Sequence, residues 1–173
     1  MKRRSVTKQG SSARKILAEY RARIERARVY DVAIRTPLEF APKLSARLDN
    51  RLLLKREDLQ PVHSFKLRGA YNKIIHLSES QRSAGVVTAS AGNHAQGVAF
   101  AAHRLGIPTK IVMPRTTPSI KLDAVRGLGG QVVLHGDTYD ESAAHARALA
   151  AEKGMTMVHP YDDPDVMAGQ GTV

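Results

Sequence analysis

Cysteine is absent from the 173 residues, which excludes disulfides, zinc–thiolate centres and cysteine nucleophiles together. That absence suits a reducing compartment. Long apolar runs are missing as well, and none reaches the length needed to span a membrane. Aromatic residues make up only 5% of the chain. They are not interleaved with basic residues, as a base-stacking nucleic-acid surface requires. Acidic residues are scarce in one region. Residues 1–35 hold eleven of the 27 lysines and arginines but only Glu19, Glu25 and Asp31, a surplus of eight, against a surplus of three in the remainder. The net charge of +11 is therefore mostly an amino-terminal property. Its attraction for phosphate would be non-specific, and the pattern argues against a nucleic-acid partner.

What is present divides into four stretches. Residues 1–12 (MKRRSVTKQGSS) are polar and basic and read as a disordered tail. No apolar core follows, so the tail is not a secretory signal. An Arg-rich start of this kind also resembles an organellar transit peptide, but it is short and soon acquires acids; a cytoplasmic location is expected. From Ala13 to Ala33 the residues Ile16, Leu17, Tyr20, Ile24, Ala27 and Val29 recur near helical spacing between arginines. This predicts an amphipathic helix with a basic solvated face, broken at Thr36-Pro37. Arg51–Asp58 reads as a strand entering a loop at Leu59-Gln60-Pro61.

A regular alternation follows. Leu67, Ala70, Tyr71, Ile74 and Leu77 share one helical face, and 85–89 is a short buried strand. A helix is expected over 93–105, a strand at 111–113, and a helix over 119–128 that stops at Gly129-Gly130. Next come a strand at 132–134, an alanine-rich helix over 139–151 ending at Gly154, and a strand at 155–158. Apolar strands alternating with helices indicate parallel pairing. The expected fold class is α/β, with about four parallel strands and flanking helices. Asp163-Pro164 signals one more helix start, and the remaining residues read as the beginning of a larger design.

Two motifs carry chemistry. In Ser64-Phe65-Lys66-Leu67-Arg68-Gly69-Ala70 a lysine stands in the first turn of a helix, where the helix dipole and apolar neighbours both disfavour a charged amine. A Schiff-base lysine needs this, because only the neutral amine attacks a carbonyl. Taken alone, such a lysine is more simply a surface residue. In Ser90-Ala91-Gly92-Asn93-His94-Ala95-Gln96-Gly97 small residues lie where a strand turns into a helix, a setting in which backbone N–H groups can receive a carboxylate or other anion. Taken alone, this is equally a helix cap built from Ser90 and Asn93.

Together these motifs resemble the fold-type-II pyridoxal-phosphate enzymes, and within them the threonine and serine dehydratases. SFKLRGA is similar to the cofactor-lysine motif, SAGNHAQG to the substrate-carboxylate loop, and RTPL and AGQGT to further family segments. KREDLQPVHSFKLRGAYNKI looks like the biosynthetic threonine type; Val62-His63 stands where catabolic dehydratases and serine racemases have a Thr-Gly type pair. The resemblance implies that Lys66 holds pyridoxal 5'-phosphate as a Schiff base and later acts as the base at the substrate Cα. Phe65 would pack on the cofactor ring, and Asn93 would bond its phenolic oxygen. Ser90, Ala91, Gly92, Asn93 and His94 would receive the substrate carboxylate. The implied reaction is loss of water from L-threonine to give 2-oxobutanoate and ammonia, which feeds isoleucine synthesis. L-serine, as substrate of a dehydratase or racemase, is the alternative; an inactive fragment with a basic, nucleic-acid-attracting tail is another.

The resemblance also implies a domain plan. Residues 13–60 and 161–173 would belong to a large domain, 61–160 to a small one, and the full-length form would be a homo-oligomer. The family's glycine-rich phosphate loop and its residue at the pyridine nitrogen have no counterpart here, so the isolated chain is expected to show little activity. No metal spacing is found among His76, His103, His135, His145 and His159. His63, the Lys55–Asp58 charge run and Gly127, Gly129 and Gly130 are read as structural.

Overall fold

The computed structural model of the chain describes residues 7–173. Helix α1 runs over Thr7–Glu25. Of the segment expected to be a loose tail, residues 1–6 lie outside the described residues and 7–12 open this helix. Its other end comes earlier than the periodicity predicts. Beyond Glu25 the chain turns, because the Arg28 N–H is taken by the Asn72 side-chain carbonyl at 2.8 Å and Val29 is buried. A tertiary contact thus overrides the helical spacing. Two helix positions, Ile16 and Leu17, stay exposed.

Strands β1 (Leu38–Phe40) and β2 (Leu53–Lys55), joined through helix α2 (Pro42–Arg47), form an antiparallel pair in which Glu39 faces Leu54. Leu38, Phe40, Leu53 and Leu54 are all exposed, so this small sheet buries neither face fully. The strand expected over 51–58 is shorter than its pattern. A 3₁₀ turn at Glu57–Leu59 ends it and swings Glu57 inward.

Then the α/β alternation begins, as expected from the sequence except for the unforeseen α4: α3 (Lys66–Ile75), α4 (Glu79–Ala84), β3 (Val86–Ala89), α5 (Asn93–Arg104), β4 (Thr109–Met113), α6 (Ser119–Gly127), β5 (Gln131–Leu134), α7 (Tyr139–Lys153), β6 (Thr156–Met157) and α8 (Pro164–Gln170). The sheet order is β5-β4-β3-β6 and every neighbouring pair is parallel. Side chains alternate across it. Val86, Ile111 and Met113 pack under α3, α5 and α6, while Val87, Ala89 and Val112 pack against Ala143 and Ala146 of α7. The left-handed Gly154 (φ 64°) ends α7 as its position suggests. Helix α4, held by a Ser78–Gln81 capping box, has no apolar stripe that would announce it.

Helix α8 crosses α3 at glycine. A Cβ on Gly169 would lie 2.5 Å from the Arg68 carbonyl oxygen, and one on Gly69 2.6 Å from that of Val166. Lys73 of α3 also pairs with Asp163 at 2.9 Å. These contacts fix the lysine-bearing helix from its far side. Among the described residues no helix is long and apolar enough to cross a membrane.

Candidate active site

Lys66 is the first residue of α3, and the cap residue, Phe65, makes no side-chain bond to that helix end. Its backbone N–H donates to Ser64 Oγ at 3.2 Å, and its Nζ donates to the Pro160 carbonyl at 3.0 Å. Nζ lies 5.3 Å from the centroid of the half-exposed Phe65 ring. Burial pushes the Lys66 amine below its ordinary range. This is the direction required of an amine that must react neutral.

The second motif sits beside it. Gly97, one turn into α5, lies against the start of α3; a Cβ there would be 3.1 Å from Leu67 N and the Lys66 carbonyl group. Glycine lets the two helix starts approach this closely without either backbone giving way. The Ser90–Gly92 loop leaves the end of β3, with Ser90 N–H still bonded to the Val112 carbonyl at 3.1 Å. Ser90 Oγ accepts from Gly92 N–H at 3.2 Å. Gly92 is the α5 cap residue and offers no side-chain bond to the helix. A Cβ at Gly92 would meet nothing within 4 Å, so the loop faces open space. The first-turn N–H groups of α5 have no intrahelical acceptors, the setting in which helix starts receive anions. Asn93 is exposed, Ala91 half-buried and His94 buried.

Three connections were not foreseen. His94 turns inward, its Nε2 donating to the Val158 carbonyl at 3.0 Å, and burial lowers its pKa to about 4. Pro160 is the partner of Lys66. Arg68, two residues past the lysine, is wholly buried against Glu57 at 2.7 Å. Burial favours the neutral form of Glu57, but hydrogen bonds from Arg68, Thr36 and Gln60 outweigh it and hold the carboxyl below its usual range. No signal in the sequence announces this, because Arg68 lies off the apolar face that Leu67, Ala70, Tyr71, Ile74 and Leu77 form on α3. The charge run is structural elsewhere too: Arg56 pairs with Glu39 and Asp58, and Lys55 Nζ donates to the Thr36 carbonyl.

The remaining histidines scatter. His63 has a left-handed backbone (φ 53°) and bonds the Asp58 carbonyl, and His135 stacks on His145 at 3.9 Å. A solvent-open cleft between α1, α3 and α8, lined by Arg23, Arg26, Asn72, His76, Asp165 and Ala168, contains no residue of the lysine motif 64–70 or the loop motif 90–97.

A parallel α/β layer that presents a desolvated lysine beside a small-residue loop at strand ends is a ligand-binding α/β scaffold, with its candidate site where open parallel sheets bind ligands. The chain belongs to the pyridoxal-phosphate-dependent enzyme family, whose model matches residues 29–173. It is 59% identical over 156 residues to the biosynthetic L-threonine dehydratase IlvA of Salmonella typhimurium, covering 90% of this chain and 30% of that protein. Against the Escherichia coli protein of that name the identity is 58%, with the same coverage. The chain therefore spans about 30% of the length of these curated relatives. Among solved structures, the processed form of threonine deaminase isoform 2 from Solanum lycopersicum superposes with a TM-score of 0.86 at 56% identity, over 91% of this chain and 46% of that one. A serine racemase from Dictyostelium discoideum gives 0.78 at 33% identity, over 90% and 50%.

Proposed function

We propose that this chain supplies the lysine-bearing part of a threonine ammonia-lyase, acting on L-threonine to release 2-oxobutanoate and ammonia. The observation that carries the reading is the placement of Lys66, desolvated and held by Gly97 against the open loop at the amino end of α5. The residues fit pyridoxal phosphate: an amine whose pKa burial lowers, an aromatic ring beside it, and open space in front of Gly92. When bound, that cofactor would supply the electron sink which makes loss of the Cα proton possible.

The chain's own groups would do the rest. Lys66 Nζ anchors the cofactor and takes the Cα proton. Phe65 covers one side of the ring. Asn93, exposed at the start of α5, orients the phenolic oxygen. Ser90, Ala91, Gly92, Asn93 and His94 receive the substrate carboxylate, chiefly through backbone N–H groups at the helix end.

Residues 61–160 would act as a small domain and 13–60 with 161–173 as part of a larger one. The exposed apolar faces of β1 and β2 support that plan, since a two-stranded sheet cannot bury itself. We take the full-length form as a homo-oligomer and its location as the cytoplasm. We take isoleucine synthesis as the route served and nucleic acid as no partner.

Incubation with pyridoxal phosphate, borohydride trapping and peptide mass spectrometry test the reading. Lys66 should be modified in preference to exposed lysines, and L-threonine should compete better than L-serine. Labelling spread evenly over surface lysines would sink it. The isolated chain should form little 2-oxobutanoate; turnover at ordinary enzyme rates would overturn that part.

A further inference from the structure

The end of β6 is held in an unusual way, and Lys66 depends on it. Val158 continues the strand, its N–H bonded to the Val87 carbonyl at 2.9 Å. Its carbonyl accepts two side-chain donors, Thr88 Oγ1 at 2.7 Å and His94 Nε2 at 3.0 Å. Both lone pairs of one buried carbonyl are thus used. Two residues later the Pro160 carbonyl holds Lys66 Nζ at 3.0 Å. Just beyond, the His159 ring closes the turn by accepting the Tyr161 and Asp162 N–H groups at 3.3 and 2.8 Å. The Pro160 carbonyl is therefore fixed from both sides.

We infer that His94 is a positioning residue for Lys66: with Thr88 it pins the Val158 carbonyl, and this pinned segment carries the Pro160 oxygen that orients the lysine amine. The inference rests on the reading of Lys66 as the cofactor lysine. His94 is only 3% exposed. Burial keeps it neutral, so the single ring N–H is the one given to Val158 and Nδ1 has no partner among the described residues. A neutral, inward-facing histidine in the loop motif is thus spent on holding a carbonyl. The Pro160 oxygen can only accept, and it binds an N–H of either the ammonium or the amine. It thereby holds the nitrogen in place and keeps the lone pair off the direction of the Pro160 oxygen once the proton has left.

The test is the rate of Lys66 modification by pyridoxal phosphate in the full chain, trapped with borohydride and read by peptide mass spectrometry. Exposed Lys153 serves as internal reference and circular dichroism checks folding. His94→Leu should slow Lys66 about tenfold relative to Lys153, short of the roughly hundredfold that a full 1 Å misplacement can cost. His94→Gln, whose amide N–H reaches the same carbonyl, should restore the rate to within about twofold. Thr88→Val should slow it in the same direction. A general packing defect would not be rescued by glutamine. Should His94→Leu not fold, the Gln and Val variants decide, and a wild-type rate in Thr88→Val overturns the inference. It is equally overturned by a wild-type rate in folded His94→Leu, or by His94→Gln as slow as His94→Leu. A wild-type chain that shows no preference for Lys66 overturns the cofactor-lysine reading with it. A preference that none of the variants alters overturns the positioning role alone.

Discussion

The guanidinium of Arg68 and the carboxylate of Glu57 meet at 2.7 and 2.9 Å in the interior, with Arg68 wholly shielded from solvent. Through them the turn after β2 is fastened to the helix that carries Lys66. The remaining Arg68 donors reach the Ile34 carbonyl and Thr172 Oγ1, so one side chain ties together three stretches distant in sequence.

Removing one partner leaves the other charge buried and alone. Arg68→Leu or Glu57→Gln should each cost about 3–5 kcal/mol, read as a fall in the urea midpoint. The double variant Arg68→Met/Glu57→Leu should lose much less than the sum of the two. Additive losses would show that the pair does not act as a unit.

Acid should destabilise the fold through His94 before it reaches the carboxylates. The unfolded histidine takes up its proton near 6.5, the folded one only near 4. Stability therefore falls as pH drops through that window, by about 3 kcal/mol in all. Glu57, whose folded pKa is depressed, loses its contribution only at lower pH, on passing below the usual carboxylate range. His94→Gln should flatten the first phase of a stability-versus-pH curve and leave the second.

Glycine is needed where α3 and α8 cross. Gly169→Ala places a methyl against the Arg68 carbonyl, Asn72 Cβ and Gly69 Cα, none of which is a flexible side-chain end. A loss of about 1–3 kcal/mol is expected. Gly127→Ala, at the end of α6 with nothing within 4 Å, should instead stabilise by about 0.5 kcal/mol. Thermal melts of the two variants should move in opposite directions.

Asp163 does two jobs. Its Oδ1 accepts from Asp165 N–H (2.8 Å) and Val166 N–H (3.1 Å), capping α8, and its charge pairs with Lys73. Asp163→Asn keeps an oxygen cap and should cost under about 1 kcal/mol. Asp163→Ala loses cap and pair and should cost about 1–3 kcal/mol. Equal losses would mean that the cap contributes nothing.

Several elements are legible along the chain because their causes are local. The parallel strands are short β-branched runs, α3 and α5 have apolar stripes, and the glycine after α7 takes the left-handed cap. Elements whose causes are distant are not. The early end of α1 is decided by Asn72, 44 positions from its partner Arg28. The inward turn of Glu57 is decided by Arg68. α4 rests on a capping box too short to produce a period.

The same division holds at the lysine. Its residue type, its place at a helix start, and a small-residue loop after the next strand follow from the order of amino acids alone, because propensity and hydrophobic period act between near neighbours. That Lys66 rests on the Pro160 carbonyl, that His94 faces inward to Val158, and that Gly97 brings the two helix starts together could be decided only by tertiary structure. Each depends on burial and on hydrogen-bond partners tens of residues away, and these exist only once the sheet has closed and the layers have packed.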